Sequence, residues 1–216
     1  MGALAYILEP HLGRALWQTP ASAMSDVIPT SDVIDPAGFR VNVGIVLIEG
    51  PQVFLGRRTG GRGWQFPQGG VRAGEEPEEA VYRELDEEIG LDRASVELVG
   101  RTRGWLRYRL PPRYVRRNQH PLCIGQKQRW FLLRLTAAEA RFDFSRTADP
   151  EFDQWRWASY WEPVREVIYF KRPVYAQALT ELASLAFASG AAPPLPPWWD
   201  KLTASGRRRA APVPAA

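Results

Sequence analysis

Cysteine and histidine are almost missing from this 216-residue chain, which has one Cys, at 123, and two His, at 11 and 120. A lone cysteine rules out an intrachain disulfide, so a disulfide-stapled secreted scaffold is excluded and a reducing cytoplasm is the expected compartment. Neither histidine stands in a motif that would recommend it as a nucleophile. No apolar run approaches the roughly 20 residues of a membrane span, so no membrane partner is expected. No internal repeat is visible, which sets solenoids aside.

The opening stretch, MGALAYILEPHLGRALWQTPASA, is only superficially like a secretory signal: it lacks a basic start, and Glu9, Pro10, His11 and Arg14 break its apolar run. Met24, just beyond it, is a second candidate start. The expected organisation is a flexible extension over 1–36, one folded domain over 37–187 and a flexible Pro/Ala/Arg-rich tail over 188–216. Trp198 and Trp199 in that tail could dock on the domain or on a partner.

What the chain has in quantity is charge, unevenly placed. The formal net charge is +4. Acid concentrates in 75–92, whereas 101–117 carries arginine at 101, 103, 107, 109, 113, 116 and 117. One sign can hold a metal, and the other a polyanion.

The acidic stretch lies in Gly69–Leu91, GGVRAGEEPEEAVYRELDEEIGL. Pro77 suits the first turn of a helix, the glutamates at 75, 76, 78 and 79 complement its dipole, and Gly90 supplies a stop. Val81, Leu85 and Ile89 recur every fourth position and make one apolar stripe. At about 100° per residue, Glu84, Glu87 and Glu88 fall within an arc of roughly 100° beside that stripe. Three carboxylates on the edge of a packed face repel one another unless a cation sits between them. With no His or Cys close by, the ligand set favours magnesium, or manganese, over zinc. Glu76, Glu78, Glu79 and Asp86 read as surface charges. Arg83 either pairs locally with Glu79 or Glu87 or, as favoured here, holds a metal-ligating carboxylate in place.

Around this helix, strands are expected at Phe39–Ile48, Val53–Arg58, Trp64–Phe66, Val96–Arg103, Trp105–Leu110, Ile124–Leu135, Ala140–Phe144 and Phe152–Ala158. Helices are expected near Pro163–Ile168 and Pro173–Phe187. Strands and helices mixed without regular βαβ alternation predict an α+β layered sandwich. Trp105, Trp130, Trp155, Trp157 and Trp161 are expected in the core. Gln126 and Lys127 alternate on their strand, so only one can face a cleft, and Gln126 is favoured.

The spacing of Gly69, Glu75, Arg83-Glu84-Leu85, Glu87-Glu88, Gly90 and Leu91 resembles the Nudix hydrolase signature at every fixed position. The runs FRVNVGIVL, GWQFPQGG, WLRYRLPPR, CIGQKQRWFLL, PEFDQWRWASYW and VIYFKRPVY follow in the order seen in the bacterial RNA pyrophosphohydrolases, also described as dinucleoside polyphosphate hydrolases. That similarity spans about 38–187, with Val41 and Phe39 standing where the family usually has proline and often has tyrosine. The resemblance implies a Nudix fold, a mixed sheet between helical layers (an α/β/α sandwich) with a catalytic loop–helix–loop. It implies divalent-metal ligation by Glu84, Glu87 and Glu88, with Gly69 and Glu151 as further ligands, and proton acceptance by Glu84 or Glu151. It also implies substrate contacts from Arg40, Arg58, Gln126 and Lys171, and base stacking on Phe170. The implied reaction is removal of pyrophosphate from the 5′-triphosphate end of RNA, a step that promotes mRNA decay. The alternative is hydrolysis of dinucleoside polyphosphates such as diadenosine tetraphosphate at the same site. A non-catalytic RNA-binding module ranks below both, because no glutamate of the signature is missing. The partners implied are 5′-triphosphorylated RNA or a nucleoside polyphosphate; a protein activator is left open and a monomer is expected.

Overall fold

The computed structural model describes residues 33–204 apart from 62, 119, 138–140 and 189. Residues 1–32, with Met24, and 205–216 lie outside the described residues. The centre of the fold is a long parallel pair, β1 (Phe39–Glu49) and β7 (Gly125–Leu135), in register from Phe39 opposite Gly125 to Ile48 opposite Arg134. Over 43–48 and 130–133 the two strands are apolar on both faces, as expected where strands are covered on each side. Val43, Ile45, Leu47, Phe131 and Leu133 enter one core, and Val46, Ile48, Trp130 and Leu132 the other. The period of two thus places neighbouring residues in opposite layers.

Antiparallel strands extend this pair. On the β1 side are β2 (Gln52–Arg58), β3 (Trp64–Gln65), β4 (Gln68–Gly70) and β8 (Phe152–Ser159); on the β7 side are β5 (Val96–Arg101) and β6 (Leu106–Arg109). Helix α1 (Pro77–Ile89) covers one face, and α2 (Pro163–Glu166) and α3 (Arg172–Ala186) cover the other. The result is an α+β sandwich of a mixed sheet between helical layers.

Helix α1 forms where its spacing predicts. Val81, Leu85 and Ile89 are fully buried, each worth roughly 2 kcal/mol of apolar burial. Glu79, on the exposed side, accepts from the Glu76 backbone N–H at 3.0 Å and so satisfies one of the first turn's open donors. The helix ends at Gly90, whose φ of 72° is left-handed and whose N–H returns to the Asp86 carbonyl. A Cβ there would also press on Asp143, so glycine is required twice over.

Four expectations need correction. Ala140 lies outside the described residues, and 141–144 form no strand. Phe142 and Phe144 alternate because they pack against Phe54, Trp155 and Phe152, while Asp143 between them turns the chain by accepting from Ser145 N–H and Oγ–H. Trp155 is not core: it is exposed, stacked on Phe54 at 5.8 Å, whereas Trp130 and Trp161 are buried. Residues 33–36, assigned to the flexible extension, close against the sheet: Val33 bonds to Val71 and Val41, and Asp35 accepts from Phe39 N–H. At the other end, part of the expected flexible tail packs on the domain. Trp161 Nε1–H donates to the Pro193 carbonyl at 2.8 Å, and Trp199, which opens α4 (Trp199–Thr203), is buried edge-on against Trp161.

Candidate active site

A polar cavity of about 430 Å3 opens where α1, the β3–β4 turn and the end of β7 meet. Its acidic side is Glu84 and Glu88 from α1 and Glu151 from the approach to β8. Arg40, Arg58, Arg116 and Lys171 supply its cations, and Tyr108, Tyr114 and Phe170 its rings. Glu84 and Glu88 lie one helical turn apart, so they stack on the same face.

Glu84 is 8% exposed and packs against Gly69; a Cβ at 69 would overlap its carboxylate, so only glycine leaves the acid room. Burial raises the Glu84 pKa, against the pull of Arg83. Glu88 is pushed well above the ordinary carboxylate range by burial and then by Glu84, despite the Gln68 N–H donated to it at 2.9 Å. Two acids that repel each other in a desolvated pocket are poised for a cation.

Arg83 organises the helix side. Its Nε and Nη2 grip both oxygens of Glu75, at 2.7 and 2.9 Å, and Nη2 also donates to the Gly70 carbonyl. Its Nη1 donates to Glu84 at 2.6 Å and to Glu87 at 3.0 Å. Burial disfavours the cation, yet these bonds hold its pKa above the ordinary value. Glu75 is likewise held below its ordinary value: burial opposes the shift, and Arg83 and the Arg72 N–H outweigh it. Glu87 lies outside the lining, sharing Arg83 Nη1 with Glu84, and its other oxygen is held by Arg72 at 3.0 Å. The structure therefore brings Glu84, Glu88 and Glu151 together and places Glu87 beside them, behind a pair of guanidinium groups. Among the described residues no three His, Cys, Asp or Glu side chains stand ready-made around one metal position. The donor chemistry nevertheless fits a hard divalent ion: acidic oxygens, a glycine cradle and no nitrogen or sulfur ligand.

The opposite side is assembled from distant segments. Glu151 Oε1 accepts from Arg58 Nε at 2.7 Å and from Gln65 Nε2 at 2.9 Å. Lys171, 9% exposed, donates to Gln68 Oε1 at 3.2 Å and to Gln65 Oε1 at 3.4 Å. Burial, assisted by Arg58, pulls the Lys171 pKa down to about 8, against Glu151 and Glu88. Tyr108 donates to Gln126 at 2.7 Å, and its ring packs on Phe170, which in turn packs on Tyr114. Lys127 faces the other way, toward Asp35 at 3.7 Å and the Trp105 ring.

All five residues expected at the substrate, Arg40, Arg58, Gln126, Phe170 and Lys171, line this cavity. Gln65, Gln68, Tyr108 and Tyr114, to which the sequence assigns no role, line it as well, as does Arg116 from the arginine-rich run. Gln65, Gln68 and Tyr108 stand in the runs GWQFPQGG and WLRYRLPPR, which is their one signal, since nothing in the side-chain types alone sets a glutamine apart; Tyr114 follows the second run.

The NUDIX domain model matches residues 38–179. The chain is 57% identical over 159 residues to the RNA pyrophosphohydrolase of Alkalilimnicola ehrlichii, covering 73% of this chain and 88% of that one. It is 59% identical over 152 residues to the RNA pyrophosphohydrolase of Pseudomonas putida, covering 70% and 96%. Among solved structures, the E. coli dihydroneopterin triphosphate pyrophosphohydrolase superposes with a TM-score of 0.52 at 19% identity, over 65% of this chain and 94% of that one, a likeness of fold. Hydrolases of this family cleave phosphoanhydride bonds and use divalent metal ions. No helix among the described residues is long and apolar enough to cross a membrane. The chain belongs to the Nudix hydrolases, in the family of the RNA pyrophosphohydrolases.

Proposed function

We infer that this protein removes pyrophosphate from the 5′-triphosphate end of RNA, leaving a 5′-monophosphate, and that the step takes place in the cytoplasm and prepares mRNA for decay. The observation that carries this reading is one cavity with Glu84, Glu88 and Glu151 on its acidic side and Arg40, Arg58, Lys171 and Phe170 facing them.

Glu84, Glu88, Glu151 and the Gly69 carbonyl would hold magnesium, or manganese, with Glu87 able to join if it leaves Arg72. The bound cation would supply charge neutralisation on the phosphates and a lowered pKa for water. Arg40, Arg58 and Lys171 bind the polyphosphate and offset charge that grows on the departing pyrophosphate. Phe170 stacks on a base at the 5′ end, supported from behind by Tyr108 and Tyr114. Glu84 or Glu151 takes the proton of the attacking water; Arg83 positions the first, and Arg58 with Gln65 the second. Arg83 itself acts through the carboxylates it grips.

The dinucleoside polyphosphate alternative uses the same groups but is not favoured by the relatives. Hydrolysis rates on 5′-triphosphorylated RNA and on diadenosine tetraphosphate, at equal concentration, separate the two. The RNA is expected to be the better substrate; a clear preference for the dinucleotide would reverse the assignment.

A further inference from the structure

Beside the catalytic cavity lies a second one, of about 480 Å3, lined by Leu110, Val115, Leu122 and Ile124 with Arg109 and Arg117. Leu110 belongs to both cavities. Between them runs the segment 111–117; Pro112 lines the second cavity, and over 114–117 the side chains alternate, Tyr114 and Arg116 lining the catalytic cavity and Val115 and Arg117 the second. The segment is thus a thin partition with one face to each side. It is anchored at its base, where Leu110 N–H bonds to the Ile124 carbonyl at 2.9 Å, and at its crest, where Tyr114 packs on Phe170 at 5.1 Å.

The second cavity is mostly apolar inside, yet its surroundings are cationic. Arg109, Arg116 and Arg117 are exposed and form no ion pair among the described residues. Leu122 is an apolar side chain left 41% exposed at the cavity. An apolar hollow rimmed by arginines matches one chemistry well: a nucleobase, flat and weakly polar, carried on a phosphate backbone. Its volume is ample for such a group.

We propose that this second cavity receives a base of the RNA downstream of the nucleotide held on Phe170, with Arg116 and Arg117 on the phosphates that cross the partition. The proposal rests on the reading of the substrate as 5′-triphosphate RNA, and it extends that reading to a site outside the catalytic cavity. A strand whose triphosphate lies among Glu84, Glu88 and Glu151 passes Phe170 and Tyr114 and then meets this hollow. The cavity therefore distinguishes RNA from small nucleoside polyphosphates, which end before reaching it.

The test is a length series of single-stranded 5′-triphosphorylated RNAs, from a dinucleotide upward. Affinity is read by fluorescence anisotropy without divalent metal, and kcat/KM is read with magnesium. Affinity should step up at the length that first reaches the cavity. Leu122→Glu and Arg117→Glu should each remove that step, roughly tenfold for the longer strands, while hydrolysis of the dinucleotide stays at the parental rate. Arg101→Glu, at the end of β5 and lining neither cavity, controls for the general field and should keep the step. A series without a step would overturn the proposal, as would a step that survives both cavity variants or one that Arg101→Glu abolishes equally. A parent that hydrolyses no triphosphorylated RNA would instead overturn the substrate assignment, and the metal-free binding series would still decide the cavity.

Discussion

The two sides of the catalytic cavity are built by different means. The helix side comes from a single stretch, Gly69–Glu88, and one arginine, Arg83, ties Glu75, Glu84, Glu87 and the Gly70 carbonyl together. The opposite side draws on β2, β3, β4, Glu151 and Lys171; Gln65 bridges its acid and its lysine, and Gln68 accepts from Lys171 while its N–H goes to Glu88. A local side is held by ion pairs along a helix; a non-local side depends on sheet register and on hydrogen bonds shared among neighbours. Damage to the first should therefore appear in chemistry and stability, and damage to the second in substrate handling.

The largest expected effect is on the helix side. Glu88→Gln removes a charge from the cavity and should cut turnover roughly a thousandfold with RNA affinity retained, because metal-assisted attack is lost. Glu87→Gln, whose carboxylate faces Arg72 and Arg83, should cost only about tenfold by the same reasoning. Equal losses in single-turnover assays would mean that Glu87 swings into the cavity.

Next in size is Arg83→Ala. It leaves buried Glu84 and part-buried Glu75 and Glu87 without their shared cation and should destabilise the fold by about 3 kcal/mol. Urea unfolding reads this directly. An unchanged midpoint would show that the carboxylates do not depend on Arg83.

On the opposite side, Gln65→Ala frees Glu151 Oε1 from one of its two side-chain donors and takes one acceptor from Lys171. The expected loss is about tenfold in kcat/KM, with unfolding near the parental midpoint. A loss confined to stability would erase the distinction between the two sides.

The smallest effect is one of pH. Lys171 titrates near 8 instead of 10.5, so it is cationic below about 8 and neutral above. KM for triphosphorylated RNA should rise as pH passes through that value, and Lys171→Arg should flatten the profile. The sign for stability is the reverse. Between about 8 and 10.5 the unfolded chain holds the extra proton, so the penalty Lys171 imposes is full below that window and fades as pH climbs through it.

This contrast also explains what the sequence could reveal. The stripe Val81, Leu85, Ile89, the start at Pro77 and the stop at Gly90 are encoded locally, and local spacing suffices to read them. The same spacing puts Glu87 in the acidic arc with Glu84 and Glu88, but it cannot show that Arg72, from the preceding loop, pairs with Glu87. Gln65 and Gln68 look like any polar residues in the sequence; their importance arises only when the sheet sets Gln65 between Glu151 and Lys171, and Gln68 between Lys171 and Glu88. Phe142 and Phe144 showed a strand-like alternation because packing has the same period as pairing. Trp199 lies in a proline-rich stretch whose composition suggests flexibility, and its dock, Trp161 and α3, lies back in the chain.

The most direct test of the central claim is to identify what leaves the RNA. Purified protein incubated with 5′-triphosphorylated RNA and magnesium should release pyrophosphate and leave a 5′-monophosphate, with no release when the metal is chelated. Stepwise release of orthophosphate, or cleavage undiminished by chelation, would contradict it.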